Sequence, residues 1–329
     1  MIHAQENMSL ASPANPAAVD KLTILRDRSA MLAKARQFFD RRGILEVDCP
    51  LITQAASVDA HIDLIPVKCG PHLRYLHSSP EYGMKRLLAQ GIGDIYQLAH
   101  VFRDGEQSGK HNPEFTMAEW YRLTLSFEEM IEETVDFVRL FLGDLPYSIL
   151  SYRDAFIKYA HFDYLKASQE ELFDYLLSRG IKPYEGIEDE GKDALLNLIL
   201  GTFIEPQLGT NELCVLAYYP STQAALAKTC RRGDEIAAER YEIYHNGVEL
   251  ANGYHELADP FEQRRRLIEA NNLRCQLNKD SLPIDEKFLS ALEKGIPDCC
   301  GVAVGFDRLM MLRHEAKIAD VIPFCWDEA

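Results

Sequence analysis

Two glutamates, Glu242 and Glu249, flank an Asn246-Gly247 pair in the segment "ERYEIYHNGVELANGYHEL". Asn-Gly between alternating apolar residues predicts a two-residue hairpin turn. Such a turn sets Tyr244 opposite Glu249 and Glu242 opposite Ala251. The two carboxylates become diagonal neighbours on one face, roughly 7–8 Å apart. Like charges held that close either stay in solvent or share a cation. A hard divalent ion such as Mg2+ suits the gap, although for the pair alone two solvated surface acids are the simpler reading. Strict alternation sends Asn252, Tyr254 and Glu256 to the face away from Glu249. A one-residue bulge at Ala251–Gly253 would gather all four, and Gly253 permits one.

Two further stretches carry chemistry. In "HNPEFTMAEWY", period two puts Phe115, Met117, Glu119 and Tyr121 on one face. An aromatic at one end with an acid and a phenol at the other suits a ring and an amine; the plainer alternative is a core strand with one stray acid. In "PDCCGVAVGFDRLMML", residues 297 to 312, Gly301, Ala303 and Gly305 share a face on which a ligand can lie against the backbone. Asp307-Arg308 then opens a helix whose unpaired N–H groups suit an anion. Arg103 closes the strand that precedes "DGEQSGKHN". No Walker A, HExxH or GxSxG pattern is present.

These residues need elements to hold them. Residues 21 to 42 read as an amphipathic helix stopped by Gly43. "ILEVDCPLIT" reads as a strand interrupted by Pro50, at an edge or interface. "SPEYGMKRLLAQG" reads as a short helix with Ser79 as N-cap, Pro80 at its first position and Gly91 past its end. "DIYQLAHVFR" and "PEFTMAEWYRL" are paired strands, followed by a helix over 127–142. Residues 150–210 read as a helical insertion without a motif, and helices are expected at 260–278 and 285–294. Hairpins with helices gathered around them make an α+β domain over 21–329, after a disordered leader at 1–20.

Composition sets outer bounds. The 329 residues are 47% hydrophobic, enough for a substantial core. The net charge of −16 disfavours tight nonspecific binding to nucleic acid. Eight cysteines without a CxxC or a zinc spacing read as reduced thiols of a cytoplasmic protein. With no signal peptide and no apolar run of 18 residues, no membrane association is expected.

Taken in order, the pieces resemble the class II aminoacyl-tRNA synthetase catalytic core, in its lysine branch. "RRGILEVDCPLI" is similar to motif 1, with Pro50 as its proline; "FRDGEQSGKHNPEFTMAEWY" to motif 2; "GVAVGFDRLMML" to motif 3. "SPEYGMKRLL" and "GVELANGYHEL" are lysine-branch signatures, and the match runs over roughly residues 25 to 325. Motif 1 begins within some forty residues of the start, which leaves no room for an N-terminal anticodon-binding barrel. Ala303 stands where synthetases usually carry glycine. Both features resemble the truncated paralogues that activate (R)-β-lysine with ATP and attach it to a lysine of translation elongation factor P.

That resemblance implies a site. Arg103 would hold the α-phosphate and the substrate carboxylate; Phe115 and Arg308 would sandwich the adenine; His111 and Asn112 would hold the motif 2 loop around ATP. Asp104 belongs to the same nucleotide loop, and Leu250 and Gly305 would offer backbone contacts. Glu242 and Glu249 would hold Mg2+. Glu256 and Tyr121 would receive the ε-ammonium, and Glu81 on "SSPE" with Glu119 the other amino group; Ser79, Pro80, Asn252 and Tyr254 would complete the amino-acid site. Ala303 would fill space near the reacting end and bear on the choice between β- and α-lysine. Motif 2 departs from the family's Arg-x-Glu, since position 105 is glycine: either Glu106 substitutes or the Gly105 backbone meets adenine. The resemblance also implies a homodimer built on motif 1 and no tRNA partner. A short synthetase acting on tRNA and a non-catalytic amino-acid-binding module remain alternatives at this point.

Overall fold

The computed structural model describes residues 20–329, so the expected leader lies outside the described residues. Helix α1 (Lys21–Asp40) starts where Asp20 accepts hydrogen bonds from the Leu22 and Thr23 amides. Its apolar stripe buries Ile24, Met31, Ala35, Phe38 and Phe39, and Phe39 stacks on Tyr96 at 4.1 Å. The chain then makes β1 (Leu45–Glu46), breaks at Pro50, and continues as β2 (Ile52–Thr53), β3 (Pro66–Cys69) and β4 (His72–Leu76). β2, β3 and β4 form a small antiparallel sheet.

Helix α2 (Glu81–Leu88) follows. Ser79 is not its N-cap: Pro80 holds that position without a side-chain cap, the helix begins one residue later than expected, at Glu81, and Ser79 Oγ accepts from the Glu81 amide at 3.0 Å from just outside it. Strands β5 (Ile95–Phe102) and β6 (Glu114–Arg122) pair antiparallel around the polar loop, and α3 (Phe127–Leu142) begins in a Ser126/Glu129 capping box. After β7 (Tyr147–Ser151), residues 152–207 form short helices that include α4 (Tyr152–Ala155), α5 (Gln169–Ser178) and α6 (Lys192–Ile199). They pack on a core of their own with Tyr152, Phe156, Leu196 and Tyr219.

The rest of the sheet comes from β8 (Leu213–Pro220), β9 (Thr229–Arg232), β10 (Glu235–His245), β11 (Val248–His255) and β12 (Cys300–Gly305). Helices α7 (Pro260–Gln276) and α8 (Glu286–Lys294) precede β12; α9 (Phe306–His314) and α10 (Ile318–Val321) follow it. The large sheet runs β1-β5-β6-β12-β11-β10-β8-β7, with β9 added on β10. Its interior pairs are antiparallel, and only the outer pairs β1·β5 and β7·β8 are parallel. This is the expected α+β sheet flanked by helices, and no second β-barrel domain forms among the described residues. One face packs on α1, α3 and α9; the other face carries the cavity described below.

The central hairpin corrects the expected register. Tyr244 does face Glu249, but Ile243 faces Ala251 and Glu242 faces Asn252. The bulge therefore lies at Leu250, not at Ala251–Gly253. Gly253 serves another purpose: it sits opposite Tyr241, and a Cβ there would overlap the buried tyrosine ring. That ring fixes the pairing beyond Ala251, so the extra residue is absorbed nearer the turn. The result is the expected gathering by a different route, with Glu249, Asn252, Tyr254 and Glu256 all lining the cavity, alongside Glu242.

Gly253→Ala should lower the unfolding free energy by about 1–3 kcal/mol through overpacking against Tyr241. Urea denaturation reads this directly, and an unchanged midpoint would contradict the close-approach account.

Candidate active site

A cavity of about 1100 Å³ opens on the sheet face between motif 2, the hairpin β10–β11, β12 and helix α7. Among the expected site residues, its wall includes Arg103, Glu106, His111, Asn112, Phe115, Glu242, Glu249, Leu250, Gly305 and Arg308 toward one end. Ser79, Glu81, Glu119, Tyr121, Asn252, Tyr254, Glu256 and Ala303 line the remainder. Pro80 instead borders a smaller neighbouring cavity with Cys49 and Tyr82.

The cationic part is built by three elements. Arg103 stands 5.1 Å from the Phe115 ring, and its Nε is buried with no partner. A buried guanidinium N–H on a residue that lines a cavity suits a charge-assisted hydrogen bond to an anion. Arg308, in the first turn of α9, donates to the Glu249 carbonyl at 3.0 Å and meets His111 Nε2 at 2.7 Å. Burial and the Arg308 charge keep the His111 imidazole below its ordinary pKa, which favours the neutral ring in that contact. Motif 3 is anchored behind the wall: buried Asp307 pairs with Arg28 of α1 and accepts the Thr116 amide at 2.8 Å. Thr116 Oγ1 in turn accepts from Arg28 Nη2 at 2.7 Å, so α1, β6 and α9 meet in one polar knot.

Motif 2 settles differently from the expected contacts. Asp104 and Gly105 are not cavity walls: the Asp104 amide donates to the Asp63 carbonyl, and Gly105 turns the loop with φ +73°. Glu106 lines the cavity, 3.6 Å from Arg103 Nη1. Asn112 spends both ends of its amide on the protein, donating to the Glu114 carbonyl and accepting from the Trp326 amide.

A second group of acids surrounds Glu242. Its Oε2 accepts from the hydroxyls of Tyr219 and Tyr244, each at 2.5 Å, and its Oε1 from Arg240 at 2.6 Å. Glu205 of the helical insertion reaches the same place, accepting from Tyr244 at 3.2 Å. Burial, then the charges of Glu242 and Glu249, push Glu205 up to about 7. Glu249 lies deep in the cavity yet leaves 39% of its side chain accessible. Desolvation and Glu242 raise its carboxyl against the pull of Arg308. Acids that oppose one another's ionisation fit a cation site. Among the described residues no trio of His, Cys, Asp and Glu forms a ready cage. The donor set suits Mg2+ held by one or two carboxylates with phosphate oxygens completing its shell.

In the remaining part of the cavity wall, Glu119 accepts from Ser79 at 2.7 Å and from Tyr121 at 2.8 Å. Gly301 leaves this wall flat, since a Cβ there would overlap the Tyr121 ring and Glu256 Oε1. The expected separation into an acid at each end is corrected. Glu81 and Glu256 both touch the ammonium of Lys85, so the two carboxylates lie side by side around one lysine.

The model of the family described as tRNA synthetases class II (D, K and N) matches residues 18–328. A Haemophilus influenzae protein named elongation factor P–(R)-β-lysine ligase is 42% identical over 309 residues, covering 92% of this chain and 94% of the relative. Proteins of the same name from Klebsiella pneumoniae and Edwardsiella ictaluri are 40% and 41% identical, each covering 93% of this chain and 95% of the relative. The chain belongs to the class II tRNA synthetase family. It is an ATP-dependent ligase of that family; its motif 2 and motif 3 segments line the cavity, whereas the motif 1 residues Cys49, Pro50 and Ile52 border the smaller neighbouring one.

Within this class II ligase, sequence reasoning missed Lys85, Glu205, Tyr219, Arg240 and Gln263, all of them cavity residues or partners of cavity residues. Lys85 stands four residues after Glu81, a spacing that ordinarily marks a solvent-exposed helix pair. Gln263 on α7 is buried with both amide atoms unpartnered, and no motif marks it.

The Glu119 carboxyl is pushed up to about 8 from 4.5, by burial first and then by the Glu81 charge. The native state thus keeps a proton that the unfolded chain releases near pH 4.5, and the ligand-free enzyme loses stability as pH rises from there to about 8. Glu119→Gln should flatten that slope by a few kcal/mol or less, on the order set by the shift. Urea midpoints of both proteins at pH 5 and pH 8.5 test this; identical slopes would refute it.

Proposed function

We propose that this ligase activates (R)-β-lysine with ATP and transfers it to the ε-amine of a lysine on translation elongation factor P. The observation that carries the reading is the shared cavity. It joins the Arg103 guanidinium, whose Nε has no hydrogen-bond partner, to a wall of buried carboxylates, Glu81, Glu119 and Glu256. Phosphate needs the first, and a diamino acid needs the second. The relatives' name gives the same substrate and acceptor.

In the first step a carboxylate oxygen of the amino acid attacks the α-phosphorus, and the bond to pyrophosphate breaks. Arg103 holds the carboxylate and the α-phosphate and stabilises charge on the phosphoryl oxygens. Phe115 and Arg308 take the adenine between them. Glu242 and Glu249 would hold Mg2+, which would offset the charge of the phosphates. Tyr121, Glu119, Glu81 and Glu256 accept hydrogen bonds from, or pair with, the substrate's ammonium groups. In the second step the neutral acceptor amine attacks the carbonyl carbon; the amide C–N bond forms as the bond from that carbon to the AMP oxygen breaks, and AMP and one proton of the amine are released.

Ala303 belongs to the flat β12 wall, paired with Glu119 on one side and Asn252 on the other. Its methyl would fill space near the reacting end of the amino acid and so favour the β-isomer. The enzyme works in the cytoplasm as a homodimer. Support for the dimer comes from Leu45, Leu51, Ile52 and Leu73, large apolar side chains left exposed around motif 1.

ATP–pyrophosphate exchange with (R)-β-lysine should proceed and should fall about 100-fold or more in Arg103→Ala. Absence of exchange in the unaltered enzyme would overturn the reading. Ala303→Gly should raise the relative kcat/KM for α-lysine by about 10-fold or more; an unchanged ratio would remove Ala303 from substrate choice.

A further inference from the structure

Lys85 is a fully buried lysine that the proposed chemistry does not use. Its ammonium donates to Glu81 Oε1 at 2.6 Å and makes an ion pair with Glu256 Oε2. The Tyr121 ring lies 5.9 Å away. Taking an ammonium out of water costs several kcal/mol unless it is paired, and here two carboxylates pair it. The wall therefore contains three acids, Glu81, Glu119 and Glu256, and one fixed cation. Ionised, it has a surplus of two negative charges. Glu256 Oε2 is in direct ion-pair contact with that ammonium, in a residue only 2% exposed.

We propose that Lys85 is an internal counter-ion that sets the charge of the amino-acid slot. By neutralising one of three carboxylates, it matches the wall to a substrate bearing two ammonium groups. Lys85 is a positioning residue: it acts through Glu81 and Glu256. Without it the three acids would crowd one another, and the slot would take up protons in place of substrate. The other titratable groups facing Lys85 and its two carboxylates are Glu119 and the neutral Tyr82, Tyr121, Tyr254 and Cys299, all raised chiefly by burial, and His255 beside Glu256, raised chiefly by its hydrogen bond to Glu239. Burial also raises Glu256 despite Lys85, so the ligand-free wall already offsets part of its surplus with protons. Incoming ammonium groups displace them.

The inference rests on the amino-acid-activating reading above, and the test separates the two. In pyrophosphate exchange between pH 6.5 and 9.5, Lys85→Met should raise KM for (R)-β-lysine about 100-fold near pH 7, with kcat changed by only a few-fold. The acid limb of kcat/KM should move at least about one pH unit upward. Lys85→Arg should keep the limb in place. A purely packing role would leave the limb of a folded Lys85→Met unmoved, and that result overturns the proposal. Should Lys85→Met not fold, calorimetry on the unaltered enzyme decides. In two buffers of different ionisation heat, a diamino acid should release about one proton more on binding near pH 7 than 6-aminohexanoate does. Equal proton release overturns the proposal. Because α-lysine also serves as the diamino acid in that measurement, failure of (R)-β-lysine as a substrate is read apart from it.

Discussion

Buried carboxylates without enough cations dominate this molecule. One sheet face carries Glu119, Glu242 and Glu256, with Glu81 and Glu205 brought in by a neighbouring helix and by the insertion. Low-dielectric surroundings make each ionised acid costly, and each acid raises the cost of the next. The protein meets this cost in part with Arg240 at Glu242 and Lys85 between Glu81 and Glu256. On the function proposed above, the remainder is left to what binds: ammonium groups at one part of the cavity and a metal with its nucleotide at the other. Stability given up in the empty enzyme becomes specificity in the loaded one.

The backbone supplies the room. The bulge at Leu250 turns Glu249 onto the same face as Asn252 and Tyr254, although alternation alone would separate them. Gly253 and Gly301 work as a pair on opposite faces. The first lets the Tyr241 ring lie flat against the core side of β11. The second lets Tyr121 and Glu256 close over β12 on the cavity side. The Arg28–Asp307–Thr116 knot ties α1, β6 and α9 together behind the cavity, so the arginine of motif 3 approaches from a braced helix.

Cys299 and Cys300, conspicuous as neighbours in the chain, have no part in this. Both are buried, and burial raises both thiols, Cys299 to about 12. They are packing residues with no thiolate to offer.

Much of this was legible from local pattern. Period-two alternation placed Phe115, Glu119 and Tyr121 together, the Asn-Gly pair set the hairpin turn, and small residues marked β12 as a flat wall. Those signals are local because strand geometry alternates faces regardless of context. Bulge position, the fate of Asp104 and Gly105, and the burial of Lys85 were not legible. Each is decided by a partner distant in the chain: the Tyr241 ring under Gly253, the Asp63 carbonyl at Asp104, and Glu256 reaching Lys85. The sequence alone determined which residue types face the cavity and the family to which they belong. Only the tertiary structure decided which charges share a counter-ion, because desolvation and through-space attraction depend on distance and not on order along the chain.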